Sequence, residues 1–274
     1  MARTGGRQRT ASASQLDEDS DLFVRALARG LSILALFDVQ HPDWSLNAIS
    51  DQADISKTTA YRMLRTLEAK GFLTYDPATE RYHVGKATIP LGYLALSYVG
   101  FVRSAHQFLE DLAEATGETV ELTVSGSQGA VVVDQVMTKH PFRLNLPTGR
   151  ILTDLANSSC RMHVAFLPPA EQEKYLRQTQ QRFTPNTQTD RETIEGRLMS
   201  DREEGLSSDM EELDKGVCAV SAPVFERDGS LKAVLTVVAP AERFGPRDRK
   251  RLVEALKTTA AKVTKSLSGQ AGVD

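Results

Sequence analysis

Thr58, Tyr61, Arg62 and Arg65 recur at spacings that gather hydroxyl, phenol and guanidinium groups on one side of a helix. Projected from Thr58 at about 100° per residue, Tyr61, Arg62 and Arg65 fall within about 60° of it. Ala60, Met63, Leu64 and Leu67 collect on the opposite side. Ser56, Lys57 and Thr59 flank the polar face at the helix start, where unpaired backbone N–H groups favour a phosphate. The chemistry on offer is duplex reading in a major groove, with Arg addressing guanine edges or phosphates and Thr and Tyr supplying adaptable contacts. The stretch Ser56–Lys70 carries Lys57, Arg62, Arg65 and Lys70 against Glu68 alone. Arg81 lies near the turn of a following hairpin, where a wing meets the phosphate backbone or minor groove. A solvated surface helix has the same two-sided pattern. The order helix, tight turn, capped helix, hairpin is what points to a winged helix-turn-helix. The candidate DNA-binding residues are Ser56, Lys57, Thr58, Thr59, Tyr61, Arg62, Arg65 and Arg81, with double-stranded DNA as partner.

Catalytic and metal chemistry find less support. His41, His83, His106, His140 and His163 are scattered without the i, i+4 spacing of a zinc helix, and Cys160 and Cys218 are too far apart for a CxxC pair. Neither a G-x-S-x-G elbow nor a glycine-rich phosphate loop is present. Asp209, Glu211, Glu212 and Asp214 form an acidic cluster that reads as a solvated loop rather than a cation site. No metal and no cofactor is implied. A metabolite-binding enzyme with an appended helical domain is the alternative reading.

Two blocks position these residues. The tail 1–21 is polar, with Arg3, Arg7 and Arg9 and no apolar signal-peptide core. Residues 22–85 read as helices over Leu22–Phe37, Leu46–Ala53 and Lys57–Lys70, capped by Ser45 and Ser56 and stopped by Gly71, then strands Phe72–Tyr75 and Arg81–Val84. The first helix is apolar nearly all round and is expected to bury more than one face. Residues 86–103 hold the uncharged segment Ala87–Val102, too short to span a bilayer. Residues 104–267 alternate a helix near Ala105–Thr116, strands Thr119–Ser125, Ala130–Val136 and Phe142–Leu146, helices near Ser159–Phe166, Pro169–Gln180 and Arg191–Glu204, strands Val217–Phe225 and Leu231–Ala239, and a helix Pro246–Leu267. That interleaving predicts an α+β sheet covered by helices. Residues 268–274 form a tail. The 274-residue chain balances 33 Lys+Arg against 36 Asp+Glu, a net charge of −3, so the basic helix is a local feature hidden by the average. Two cysteines fit a reducing compartment, and a cytoplasmic protein with no membrane partner is expected.

Several separated motifs, in order, resemble the IclR family of bacterial transcription regulators: Leu27–Leu34, Leu46–Ala53, Ser56–Gly71, Arg81–Gly85, Leu112–Val120, and Ala222-Pro223-Val224-Phe225 with Gly229 and Ala239-Pro240. The resemblance covers nearly all of Leu22 to Leu267. It implies a GAF-like second domain binding a small effector, a carboxylate or aromatic acid from a catabolic pathway. It also implies a linker helix over 86–103 and a homodimer or tetramer on a palindromic operator, acting as repressor or activator. Carried over position by position, it places the effector pocket at Leu144, Leu146, Ala156, Asn157, Ser158, Ser159, Asp209, Cys218, Thr236 and Val238. Ser158 and Ser159 at a helix start suit a carboxylate, while Leu144, Leu146 and Val238 supply apolar walls. The sequence departs from the family there: Ala156-Asn157-Ser158-Ser159-Cys160-Arg161-Met162 replaces the small-residue, glycine and lysine run, and Thr153-Asp154-Leu155 stands where a His is usual. Cys218, within an apolar run, reads first as a buried small hydrophobe.

Overall fold

A computed structural model of the chain describes residues 23–98, 101–126, 129–141, 143 and 147–269. The tail expected over 1–21, Leu144, Leu146 and all but Arg143 of the strand expected at Phe142–Leu146 lie outside the described residues, as do 270–274 of the closing tail. The chain divides into two compact units at Leu91/Gly92.

The first unit contains α1 (Arg25–Leu34), β1 (Asp43–Ser45), α2 (Leu46–Gln52), α3 (Lys57–Ala69), β2 (Leu73–Asp76) and β3 (Arg81–Val84). Both expected caps form, Ser45 accepting from Ala48 N–H at 3.3 Å and Ser56 from Thr59 N–H at 3.2 Å. The α2–α3 turn is closed from both sides of one contact. Ile55 N–H donates to the Ser50 carbonyl at 3.1 Å, and the Ser50 hydroxyl donates to the Ile55 carbonyl at 2.6 Å. Helix α3 ends in a Schellman motif: Gly71 takes φ +74°, Phe72 N–H reaches the Leu67 carbonyl and Gly71 N–H the Glu68 carbonyl.

The three-stranded sheet runs β1-β3-β2, all antiparallel. Strand β1 has no counterpart among the elements expected from sequence; three residues are too few for a periodic signal, and pairing with β3 is what makes them a strand. Ile33, Ile49, Leu64, Leu73 and Tyr82 form the core, with the Tyr75 ring tilted against Tyr82, centroids 4.9 Å apart. Helix α1 departs from expectation. Ile33 alone is fully buried on it, while Val24 just ahead, Leu27 and Leu31 stay exposed, so one stripe packs within the unit rather than several faces.

Helix α4 (Thr88–Tyr98) crosses the division and α5 begins at Phe101. The expected start near Ala105 is too late by about one turn, because Phe101 buries its ring in line with Ala105, Leu109 and Leu112. The second unit continues with β4 (Thr119–Ser125), β5 (Ala130–Val136), β6 (Ile151–Leu152), α6 (Ser158–Ala165), α7 (Pro169–Leu176), α8 (Arg191–Glu204), β7 (Ser207–Met210), β8 (Val217–Phe225), β9 (Leu231–Pro240) and α9 (Pro246–Gly269). Among the described residues its six strands lie in the order β6-β5-β4-β9-β8-β7, every neighbouring pair antiparallel.

Helices cover both faces of this sheet, as the interleaved pattern predicts. One core joins α5 and α9 to Val120, Leu122, Val220, Val224, Leu235 and Val237. The other joins Ala130 and Val132 of β5 to Cys160 and Val164 of α6 and Ile194 and Leu198 of α8. Strand β7 was not expected, because Ser207-Ser208-Asp209 has the composition of a loop. For the same reason the acidic cluster is not a solvated loop throughout: Asp209 and Glu212 are buried, and Arg197 grips both oxygens of Glu212 at 2.5 and 2.7 Å.

Candidate DNA-binding face and effector site

Helix α3 is fixed by its apolar side. Ala60 and Leu64 are completely buried, and Met63 and Leu67 pack around them, so the opposite side is aimed outward. Lys57, Thr58, Tyr61, Arg62 and Arg65 are all exposed, Tyr61 at 51%. Ser56 and Thr59 serve the cap instead, their hydroxyls 2.9 Å apart. Arg65 leans on Glu68 at 2.6 Å, an exposed pair of the kind worth about 0–1 kcal/mol, which a phosphate or base edge displaces at small cost. Arg81 is exposed but ion-paired with Asp43 on the adjoining strand, the Asp43 carbonyl lying at 3.3 Å. It braces the sheet in the unbound protein and must exchange that partner to meet a phosphate.

The wing is held to the end of α3 by an unusually close approach. A Cβ on Gly85 would sit 2.1 Å from the Gly71 carbonyl oxygen, so only glycine lets the strand pass. Tyr82 is buried support; Tyr61 is the phenol that remains available.

In the second unit, strand register gathers one row of side chains on a single sheet face. Ser207 pairs with Ser221, Ser221 with Thr236, Thr236 with Glu121 and Glu121 with Gln135, a polar row across five strands. A second row runs Asp209, Ala219, Val238, Thr119. Helix α6 closes over this face. Asn157 caps it by accepting from Cys160 N–H at 3.0 Å. Ser158 then meets Ser221 at 2.8 Å, and Ser221 meets Thr236 at 2.9 Å, a continuous chain of buried hydroxyls. Ser159 meets Thr123 at 2.6 Å, and Thr123 and Ser125 hold the two ring nitrogens of His163, each at 3.0 Å. Burial pushes His163 down to about 4, so its imidazole is neutral.

Arg161 locks the start of α6 in place. It is 1% exposed, its Nε donates to Asp201 at 2.8 Å, and its other nitrogens bond the carbonyls of Leu155, Ala156 and Ser208.

Of the expected effector residues, Ser158, Ser159, Thr236 and Val238 share this interior face with Asp209, with Ala156 and Asn157 just ahead of α6. Asp209 is buried, accepts from Glu212 N–H at 2.7 Å and is pushed up by burial to about 6. Cys218 does not belong to the set. It pairs with Met210 and Ala239 and packs in the α5–α9 core on the other side of the sheet, where burial pushes its thiol up to about 11. Its neighbour Ala219 faces the polar rows instead, since a one-residue step along a strand reverses the face.

Glu121, Thr123, Ser221 and His163 were not singled out from sequence. The available signal was the parity of Thr119-x-Glu121-x-Thr123 against Ser221 and Thr236. Among the described residues no His, Cys, Asp or Glu group could hold a metal ion, and no helix is long and apolar enough to cross a membrane.

Comparison with known proteins bears on both units. Residues 26–77 match the IclR helix-turn-helix domain, and residues 93–265 match the bacterial transcriptional regulator IclR C-terminal domain. The HTH-type transcriptional regulator BhcR of Paracoccus denitrificans is 30% identical over 243 residues, 88% of this chain and 86% of that protein. The crystal structure of an IclR transcriptional regulator from Alicyclobacillus acidocaldarius superposes with a TM-score of 0.73 at 28% identity, covering 89% of this chain and 99% of that one. An IclR homologue from Microbacterium hydrocarbonoxydans, complexed with 4-hydroxybenzoate, shares the fold with a TM-score of 0.71 at 20% identity, over 89% of this chain and 100% of that one.

Proposed function

The chain belongs to the IclR family of transcriptional regulators, and from that premise we propose that it binds a palindromic operator as a homodimer and answers to a small organic acid. It is a DNA-binding regulator rather than an enzyme. The observation that carries the proposal is the outward face of α3, five unburied contact residues on a helix fixed by two fully buried ones. Lys57, Thr58, Tyr61, Arg62 and Arg65 are the groove contacts, with Ser56 and Thr59 holding the helix start and Arg81 meeting the backbone from the wing. Two such helices related by a two-fold axis match a palindrome.

Support for self-association comes from apolar surface each unit leaves open: Val24, Leu27 and Leu31 on and beside α1, and Ile89, Tyr93 and Leu94 on α4. The effector site is the polar face under α6, with Ser158, Ser159 and Thr236 as donors, Asp209 nearby and Val238 as an apolar wall. An acid is favoured because hydroxyls converge there at a helix N-terminus, and because a homologue of this fold is known with 4-hydroxybenzoate bound. An effector that binds the two arrangements of the dimer unequally shifts operator affinity; one that binds them equally shifts nothing. The site of action is the cytoplasm.

Selection from a randomised duplex library tests the proposal whatever the operator's sequence. Wild-type protein enriches an inverted repeat, and the Arg62→Ala/Arg65→Ala double variant loses that enrichment while retaining its circular dichroism. Each base-reading arginine is worth about 1–3 kcal/mol, so a surviving operator is bound about 30-fold or more weakly. Enrichment of the same repeat by the variant excludes α3 as the reading helix.

A further inference from the structure

Three of the five buried carboxylates described in the second unit are matched to guanidinium groups. Asp201 has Arg161, Glu212 has Arg197 and Glu118 has Arg243, each in direct contact. Two do not follow that pattern: Asp209, held by the Glu212 N–H at 2.7 Å and raised by burial to about 6, and, in the next row, Glu121. Glu121 is 1% exposed, and Gln135 Nε2 donates to its Oε1 at 3.2 Å. Arg150, ahead of β6, acts on it electrostatically without a direct ion pair. From α6, Arg161 is engaged by Asp201 and His163 is a neutral ring bonded to Thr123 and Ser125. Glu121 therefore sits in the middle of the polar row, directly across from Thr236, with an amide where the three matched carboxylates have a cation.

We propose that Glu121 is a specificity-determining residue of the effector site, reading the effector's acid group through a hydrogen bond made beside Thr236. This rests on the organic-acid reading of that site. Opposed side chains on neighbouring antiparallel strands have Cβ atoms about 4.5–5.5 Å apart, so a ligand touching the Thr236 hydroxyl is within reach of Glu121. Burial raises the Glu121 carboxyl to about 8, and at neutral pH it keeps its proton. In that form it donates to a carboxylate; once ionised it repels one. The hydroxyls of Ser158, Ser221 and Thr236 rotate to donate alongside it. The site thus accepts an anion without a cationic side chain in contact, and selects acids over their amides and esters.

Calorimetric titration of the full-length protein with pyruvate, benzoate and 4-hydroxybenzoate from pH 6 to 9 tests this, since all three acids stay ionised throughout. For a carboxyl titrating at about 8, the protonated fraction falls from about nine-tenths at pH 7 to one-tenth at pH 9, so wild-type affinity drops about tenfold. Glu121→Gln, which keeps a donor that cannot ionise, holds affinity within about threefold of wild type at pH 7 and stays flat to pH 9. Glu121→Thr, matching its neighbours Thr119 and Thr123 on the strand, loses binding at every pH. A wild-type profile that is flat, or a Glu121→Gln profile that falls in parallel with it, overturns the role of Glu121 while leaving the organic-acid reading intact. A wild-type protein that binds none of the acids at pH 6 overturns the reading itself.

Discussion

Replacing Arg161 by Met removes the group that ties α6 to β7 and α8. Methionine fills most of the volume, so the loss is polar rather than a cavity. Asp201 is left with the Ser207 hydroxyl at 2.6 Å as its remaining bond, and the Leu155 carbonyl loses its Arg161 donor, while the Ser208 carbonyl keeps Arg197 at 3.0 Å. Breaking a buried pair from one side costs about 3–5 kcal/mol, because the surviving charge stays buried. In a unit of this size each kcal/mol lowers the melting temperature by about 2–4 °C, so the second unit should melt about 6–20 °C earlier. Scanning calorimetry of the full chain reads this directly. The Arg161→Met/Asp201→Asn variant removes the stranded charge and should regain about 1–3 kcal/mol of the deficit. Effector response should fall further than stability alone accounts for, since Ser158 and Ser159 follow the α6 start that Arg161 anchors. An Arg161→Met protein melting within about 1 °C of wild type would refute the reasoning, showing that the desolvation cost of the pair cancels its attraction.

Other perturbations separate the remaining claims. Gly85→Ala forces the wing off the end of α3, since its Cβ would lie 2.1 Å from a carbonyl oxygen; urea denaturation should show a loss of about 1–3 kcal/mol or more, and an unaffected midpoint would show that the backbone yields freely. Leu27→Glu/Leu31→Glu places charge on the open stripe of α1 and should shift sedimentation toward monomer; an unchanged sedimentation coefficient puts the contact elsewhere. Glu121 has a ligand-free signature too. Its carboxyl rises from 4.5 to about 8 on folding, so the folded state holds the extra proton and stability falls as pH climbs through that window. Thermal melts of wild type should therefore lose ground to Glu121→Gln between pH 5 and 8 and run parallel to it above.

The first unit was legible because its signals are local. Ser45, Ser56 and Gly71 each act within five residues of themselves, and Ala60 and Leu64 against Arg62 and Arg65 divide α3 without reference to the rest of the chain. What escaped was set by partners far away. Arg81 looks free in sequence and is engaged by Asp43, 38 residues earlier, on a strand that exists because β3 lies beside it. The open stripe of α1 escaped for the opposite reason: apolar composition fixes which side chains avoid water, not whether this chain or a second copy shields them.

The second unit adds a constraint that periodicity does not carry. Strand β4 reads Thr-Val-Glu-Leu-Thr-Val-Ser, and alternation by itself assigns the polar residues to water. Here Thr119, Glu121 and Thr123 are buried, because α6 and α8, supplied by sequence beyond residue 157, lie over that face. The parity was legible, and the identity of the solvent side was not. The same parity corrects the pocket. Once Ser221 and Thr236 are known to face α6, Asp209, Ala219 and Val238 must face it too, and Cys218 cannot. A site for a small polar ligand in such a sheet belongs on the polar face turned inward, so the informative residues are the Thr, Ser and Glu of alternating strands. A lone cysteine in an apolar run is the wrong place to begin, because the run's own periodicity commits it to the other side.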